Sequence, residues 1–119
     1  MPLPDEITHA AQTLGELLSA DANLQKYLRL ADEARRDSGA TDLETRYARL
    51  FQQLVEQEQN GQPLEQAQLD EYYELRRQVR EHPAIQARDA QFESVKALFA
   101  ETALRMNSIL GFDYTAFAR

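Results

Sequence analysis

Between Pro83 and Gly111 the sequence holds one long apolar repeat with no Pro or Gly inside it. Ile85, Phe92, Phe99 and Met106 recur at intervals of seven. Val95, Thr102 and Ile109 fill the alternating positions, and Arg88 interrupts the first of that series. The spacing predicts one helix over 83–110 with a coiled-coil-like seam. Leu98, Ala103 and Leu110 widen the stripe. At ~1.5 Å per residue such a helix is roughly 40 Å long. A compact domain of this size has a radius of gyration near ~13 Å. The helix is therefore expected to project beyond its own domain. Its apolar surface needs a cover, and a second copy of the chain is the simplest one.

The same three-to-four-residue spacing runs through the rest of the chain. Ile7, Ala10, Ala11, Leu14, Leu17 and Leu18 mark a one-faced helix over 5–19. Asp21 is placed to cap a second helix over 21–38, with Leu24, Tyr27, Leu28, Ala31 and Ala34 inward and Gly39 closing it. Leu43, Tyr47, Leu50, Phe51, Leu54 and Val55 define a third over 41–59. Asn60-Gly61-Gln62-Pro63 then breaks the pattern. Leu69, Tyr72, Tyr73, Arg76 and Val79 define a fourth over 64–81, so 41–81 reads as an antiparallel hairpin. Asp32–Arg36, Asp42–Arg46 and Glu101–Arg105 are acid-before-base pairs four apart, each adding about 0.3 kcal/mol. Alternation at period two is absent. The expectation is an all-α, single helical domain over 1–119. It has about five helices, a hairpin, a long C-terminal amphipathic helix and an aromatic tail at 111–119, and it assembles as an oligomeric bundle.

Composition narrows the function. Over 119 residues the formal net charge is −7, with a pI near 4.8. Such a chain is poorly suited to gripping phosphate backbones, so direct DNA binding is not expected. An anionic membrane surface is an equally poor match. There are no cysteines. This chain therefore supplies no disulfide, zinc-thiolate site, thiolate nucleophile or cysteine-ligated cluster. The segment MPLPDEITHA has neither a basic start nor an apolar run, and no stretch approaches ~20 apolar residues. The expectation is a cytoplasmic protein with no membrane insertion.

No catalytic constellation emerges. Glu6 and His9 form one Glu-x-x-His step, but di-iron bundles use two, and the residue three before His82 is Val79. Asp70, Glu71 and Glu74 lie beside Arg76, Arg77 and Arg80, which reads as a solvated charge-laced face rather than an acid–base pair. Gly15, Gly39, Gly61 and Gly111 stand alone, so no phosphate loop exists. No cofactor and no enzyme activity are expected. Arg76, Arg77 and Arg80 form a local basic stripe. Phe112, Tyr114 and Phe117 make the tail too apolar to stay free in water, so it is expected to fold back on its own core or on a partner. His82 precedes Pro83, which suits a first helical turn and pushes His82 out of helical geometry. His82 thus reads as a cap residue.

The order of elements, with "SADANLQKYLRLADEA" (19–34), "RLFQQLVEQEQNGQPL" (49–64) and "HPAIQARDAQFESVKALFAETALRMNSIL" (82–110), resembles the YlbF/YmcA family of small bacterial helical proteins, named for control of competence. The resemblance spans roughly residues 5–110. It implies an all-helical, self-associating, non-catalytic regulatory subunit. Members act with sister proteins in competence, sporulation and biofilm decisions, and in messenger-RNA processing through the membrane-anchored endoribonuclease Y. That complex is linked to iron–sulfur clusters and flavin, and a chain without Cys departs from the family there. The resulting expectation is a homo-oligomeric adaptor with Ile85, Phe92, Val95, Phe99, Thr102, Met106 and Ile109 at the subunit seam. Arg76, Arg77, Arg80, Phe112, Tyr114 and Phe117 are its expected partner surface. The partners are itself and other proteins, including an RNA-processing complex. The alternatives are a bundle binding metal or cofactor through Glu6, His9 and His82, and an RNA-processing accessory using the basic stripe.

Overall fold

A computed structural model describes residues 2–118. These residues form five α-helices and no strand: α1 (Asp5–Ser19), α2 (Ala22–Arg36), α3 (Ser38–Gln59), α4 (Gln66–Glu81) and α5 (Pro83–Leu110). A 3₁₀ segment, Tyr114–Ala118, follows. The fold is all-α. The chain divides into two compact units. The central unit is Arg29–Asp89, and the terminal unit joins the residues up to Leu28 with those from Ala90 onward.

Side chains set where the helices begin. Asp21 Oδ1 accepts the Asn23 and Leu24 N–H groups at 2.9 and 3.1 Å and starts α2. Asp37 has extended backbone, φ −84° and ψ 109°, and its Oδ1 accepts the Ala40 N–H at 3.0 Å. The break between the second and third helices therefore falls at Asp37. The expected closure at Gly39 is incorrect, because the Asp37 cap recruits Gly39 into the first turn of α3. Gly39 does not use its conformational freedom there, since among the described residues only Gly61 and Gly111 have positive φ. A Cβ at Gly39 would instead stand 3.3 Å from Asp37 Oδ1 and 3.5 Å from His82 Nε2, so this glycine permits close approach. The fourth helix starts at Gln66 rather than 64. Glu65 is its cap, and Gln68 Oε1 reaches back to accept the Glu65 N–H at 3.0 Å.

Two glycines end helices. At Gly61, φ is 70°, and the Gly61 and Gln62 N–H groups donate to Glu58 and Gln57 carbonyls at 3.1 and 2.8 Å. This closes α3 in a Schellman motif. At Gly111, φ is 83° and one bond to the Asn107 carbonyl at 2.8 Å closes α5.

In the central unit α3 and α4 pack as a hairpin. Leu50, Leu54 and Leu75 form the buried cluster, with Leu43, Tyr47, Leu64 and Tyr72 packed around it. Leu43, Tyr47, Leu50 and Leu54 share one helical face, which is why a 3.6-residue period suffices to bury them. Ala34, Ala40 and Ile85 are almost wholly inaccessible. Arg88 stands at the expected seam position that had no apolar residue. Its Nη1 and Nη2 donate to Glu44 Oε1 and Oε2 at 3.1 and 3.0 Å, a bidentate bridge from α5 to α3.

In the terminal unit Val95 is the buried apolar side chain. Tyr27 and Phe92 bring their ring centroids to 5.3 Å. Gln91 Nε2 donates to the Asn23 carbonyl at 3.0 Å. Helix α1 buries no residue, and Ile7, Leu14 and Leu17 remain exposed along it.

Ile85 is fully buried two residues into α5, so Ile85→Ala should lower the unfolding free energy by about 2–5 kcal/mol. Urea denaturation measures this. A loss below about 1 kcal/mol would show that Ile85 is not part of the packed core.

Candidate interaction surfaces

One turn and the next of α4 place Tyr73, Arg76, Arg77 and Arg80 on one side, because residues three and four apart are neighbours on a helix. With Glu81 they line an open groove of about 360 Å³. The three arginines are not equivalent. Arg77 is bound on both sides: its Nε donates to Glu74 Oε2 at 3.1 Å, and its Nη1 to Glu81 Oε2 at 2.6 Å. Arg76 and Arg80 have no ion-pair partner among the described residues. The expected basic stripe therefore reduces to two free guanidinium groups, one and two turns along α4 from an exposed tyrosine. The Arg77 hydrogen bond holds the Glu74 carboxyl below its ordinary range, the opposite of what a general acid needs.

Aromatic side chains adjoin this groove. Tyr73 packs edge-on against Tyr72 at 5.4 Å, and Tyr72 in turn lies 5.3 Å from Tyr47 and 6.3 Å from Phe51. The Tyr47 and Tyr72 hydroxyls share a hydrogen bond at 3.1 Å. That bond, with partial burial, raises the Tyr72 phenol above its ordinary range. Phe51 and Tyr73 are half or more exposed.

The expected seam residues separate into two groups. Ile85 and Val95 are buried within the chain and present no surface to another copy. Thr102 and Met106 are half-buried, while Phe92, Phe99 and Ile109 are exposed by 40%, 46% and 85%. Helix rotation does not make this division: at roughly 100° per residue, Phe92 and Phe99 point along the arc between Ile85 and Val95. What differs is how much of the rest of the chain covers each stretch of α5. Thr102 turns its hydroxyl back to the Leu98 carbonyl at 2.8 Å. Lys96 Nζ sits 5.5 Å over the Phe92 ring.

The tail folds back onto the end of α5. The Tyr114 N–H donates to Asn107 Oδ1 at 3.0 Å, and its hydroxyl contacts Met106 Sδ at 3.7 Å. Asp113 collects the Asn107 Nδ2 group at 3.1 Å, the Thr115 N–H at 3.1 Å and the Thr115 hydroxyl. The Thr115 hydroxyl is the main reason the Asp113 carboxyl is held below its ordinary range. Phe112 and Phe117 meet edge-on at 5.8 Å, and both remain exposed.

His82 is a cap with two contacts. Its Nδ1 accepts the Ala84 N–H at 3.2 Å at the start of α5. Its Nε2 stands 3.6 Å from Asp37 Oδ1, the atom that caps α3. Glu6 and His9 are both exposed on α1 in the terminal unit, whereas His82 belongs to the central one. Among the described residues no three His, Asp or Glu side chains gather as a metal site. Three features escaped the periodicity: the Asp37 cap, the Arg88–Glu44 bridge and the Tyr47–Tyr72 hydroxyl bond. Of these only Asp37, followed by Ser38-Gly39, carries a local turn signal.

These surfaces sit on a small all-α protein. The chain belongs to the YlbF/YmcA family, control of competence regulator ComK, whose sequence model matches residues 7–107. No curated protein and no solved structure matches the chain. The family is one of competence regulators. No helix among the described residues is long and apolar enough to cross a membrane.

His82→Ala should cost about 1 kcal/mol through the lost cap, while His82→Asn should stay within about 0.5 kcal/mol, because an amide oxygen can also accept the helix N–H. Urea denaturation of both variants checks this, and equal losses would remove the cap assignment. Asp113 predicts a pH effect. A carboxyl lowered by folding stabilises above its unfolded pKa, near ~3.9, and that contribution is lost as pH falls through the lower folded value. The Tyr114 and Thr115 amide resonances should hold their positions down to about pH 5 and move toward unfolded values below about pH 4. Asp113→Asn should remove that transition.

Proposed function

We propose that this chain is a non-catalytic regulatory adaptor. It works in the cytoplasm as a single helical domain that self-associates and binds other proteins. The regulatory part of this reading rests on the family. The self-association rests on one observation in the terminal unit: Ile7, Leu14 and Leu17 of α1 and Phe99, Ile109 and Leu110 of α5 are all exposed. That much apolar surface favours a protein partner over water. A second copy of the chain is the simplest occupant, since closed homo-oligomers bury equivalent surfaces on each subunit. The oligomer seam is therefore proposed on Phe92, Phe99, Thr102, Met106 and Ile109, without Ile85 and Val95. Two separate partner surfaces are proposed, one in each unit: the free arginines of α4 in the central unit, and Phe112, Tyr114 and Phe117 of the tail in the terminal unit.

Phe99→Glu should convert the assembly to monomers, because a charge buried at an apolar interface is strongly disfavoured. Light scattering coupled to size exclusion at micromolar concentration measures the outcome, with far-UV circular dichroism confirming retained helix. A wild-type chain that is already monomeric would sink the self-association reading. An unchanged Phe99→Glu oligomer would move the interface away from this part of α5.

A further inference from the structure

We infer that the α4 groove lined by Tyr73, Arg76, Arg77, Arg80 and Glu81 is a docking site for an acidic peptide segment of a partner protein. The inference rests on the adaptor reading and names the chemistry of its partner. Most cationic side chains of this acidic chain have a carboxylate within ion-pairing distance. Lys26, Arg29, Arg49, Arg76 and Arg80 do not among the described residues, and of these Arg76 and Arg80 share one groove. They lie one turn apart, about 6 Å, which is the spacing of two carboxylates at i and i+4 on a partner helix. A guanidinium offers a planar fork that matches a carboxylate with two parallel hydrogen bonds. Arg77 is already neutralised by Glu74 and Glu81, so it fixes the groove wall and does not compete for the ligand. Tyr73, 58% exposed, supplies an aromatic face on which an apolar residue of the peptide can stack.

The charge pattern favours a peptide over RNA. A nucleic-acid strand presents a row of phosphates, and its affinity grows with the number neutralised. Here two free cations stand on a helix that also carries Asp70, Glu71, Glu74 and Glu81. An extended phosphate backbone would meet those carboxylates. Two acidic side chains and one apolar neighbour fit between them.

The test uses the full chain and three labelled probes followed by fluorescence anisotropy. One is a helical peptide with Glu at i and i+4 beside a Phe, one is the same peptide with Gln for Glu, and one is a single-stranded RNA. The Glu peptide should bind at low ionic strength and weaken as salt is added. Arg76→Gln and Arg80→Gln should each weaken it about tenfold, whereas Arg49→Gln, on exposed α3 surface, should not. Amide resonances of Tyr73, Arg76 and Arg80 should shift on titration of the wild-type chain, which keeps the result independent of variant folding. The inference is overturned if the Gln peptide binds as well, if neither arginine variant matters, if those resonances stay still, or if RNA binds more tightly through the same arginines. Light scattering separates this from self-association. Arg76→Gln and Arg80→Gln should leave the oligomer unchanged, and Phe99→Glu should leave peptide binding unchanged.

Discussion

Two helix starts in the central unit face one another, and each is held by a side chain that also meets the other. Asp37 Oδ1 caps α3, and the His82 Nε2 atom stands 3.6 Å from it while His82 Nδ1 caps α5. Both helix N-termini carry orphan N–H groups and positive dipole ends. Bringing two such ends together without acceptors would leave unpaired donors in poorly hydrated surroundings. The Asp37 carboxylate and the imidazole nitrogen supply those acceptors. Gly39, with no Cβ to obstruct the approach, lets the ring lie against the first turn of α3. Ala34, Ala40 and Ile85 are buried in the same stretch of sequence, which is the apolar counterpart of the polar contact.

This arrangement changes the meaning of the two histidines. His82 is a structural residue that joins two helix starts, and His9 is an exposed residue of α1. Neither is gathered with carboxylates into a chemical centre among the described residues. Among the side chains left open are apolar ones in the terminal unit and, in the central unit, Arg76 and Arg80 on the helix that carries the exposed Tyr73. Each has a physical reason to seek a partner, the first through desolvation and the second through charge.

Much of the fold was legible from periodicity. The all-α class, the hairpin and the Gly61 turn follow from apolar spacing and one left-handed position. The boundary near Gly39 was not. Glycine after a basic turn usually ends a helix, but a stronger competing signal stood two residues earlier in Asp37. The heptad reading of α5 was also incomplete. Spacing by seven marks a seam only when a partner helix holds it in register. Within one chain burial depends on which stretch of the helix has neighbours, so Ile85 and Val95 are covered while Phe99, which points between them in projection, is 46% exposed. The basic stripe was visible in sequence, but nothing there distinguished Arg77, bound by Glu74 and Glu81, from Arg76 and Arg80.

The sequence by itself determined what local chemistry can specify: helical period, turn residues, the absence of thiols and the acidic balance. These depend on residues within a turn or two of each other. Tertiary structure decided which atoms of distant residues meet. Arg88 with Glu44, Tyr47 with Tyr72, and His82 with Asp37 are separated by many residues along the chain, and no local rule pairs them. It also decided which members of an apolar stripe are covered. That depends on the crossing of neighbouring helices, which is a property of the packed chain and not of any one segment.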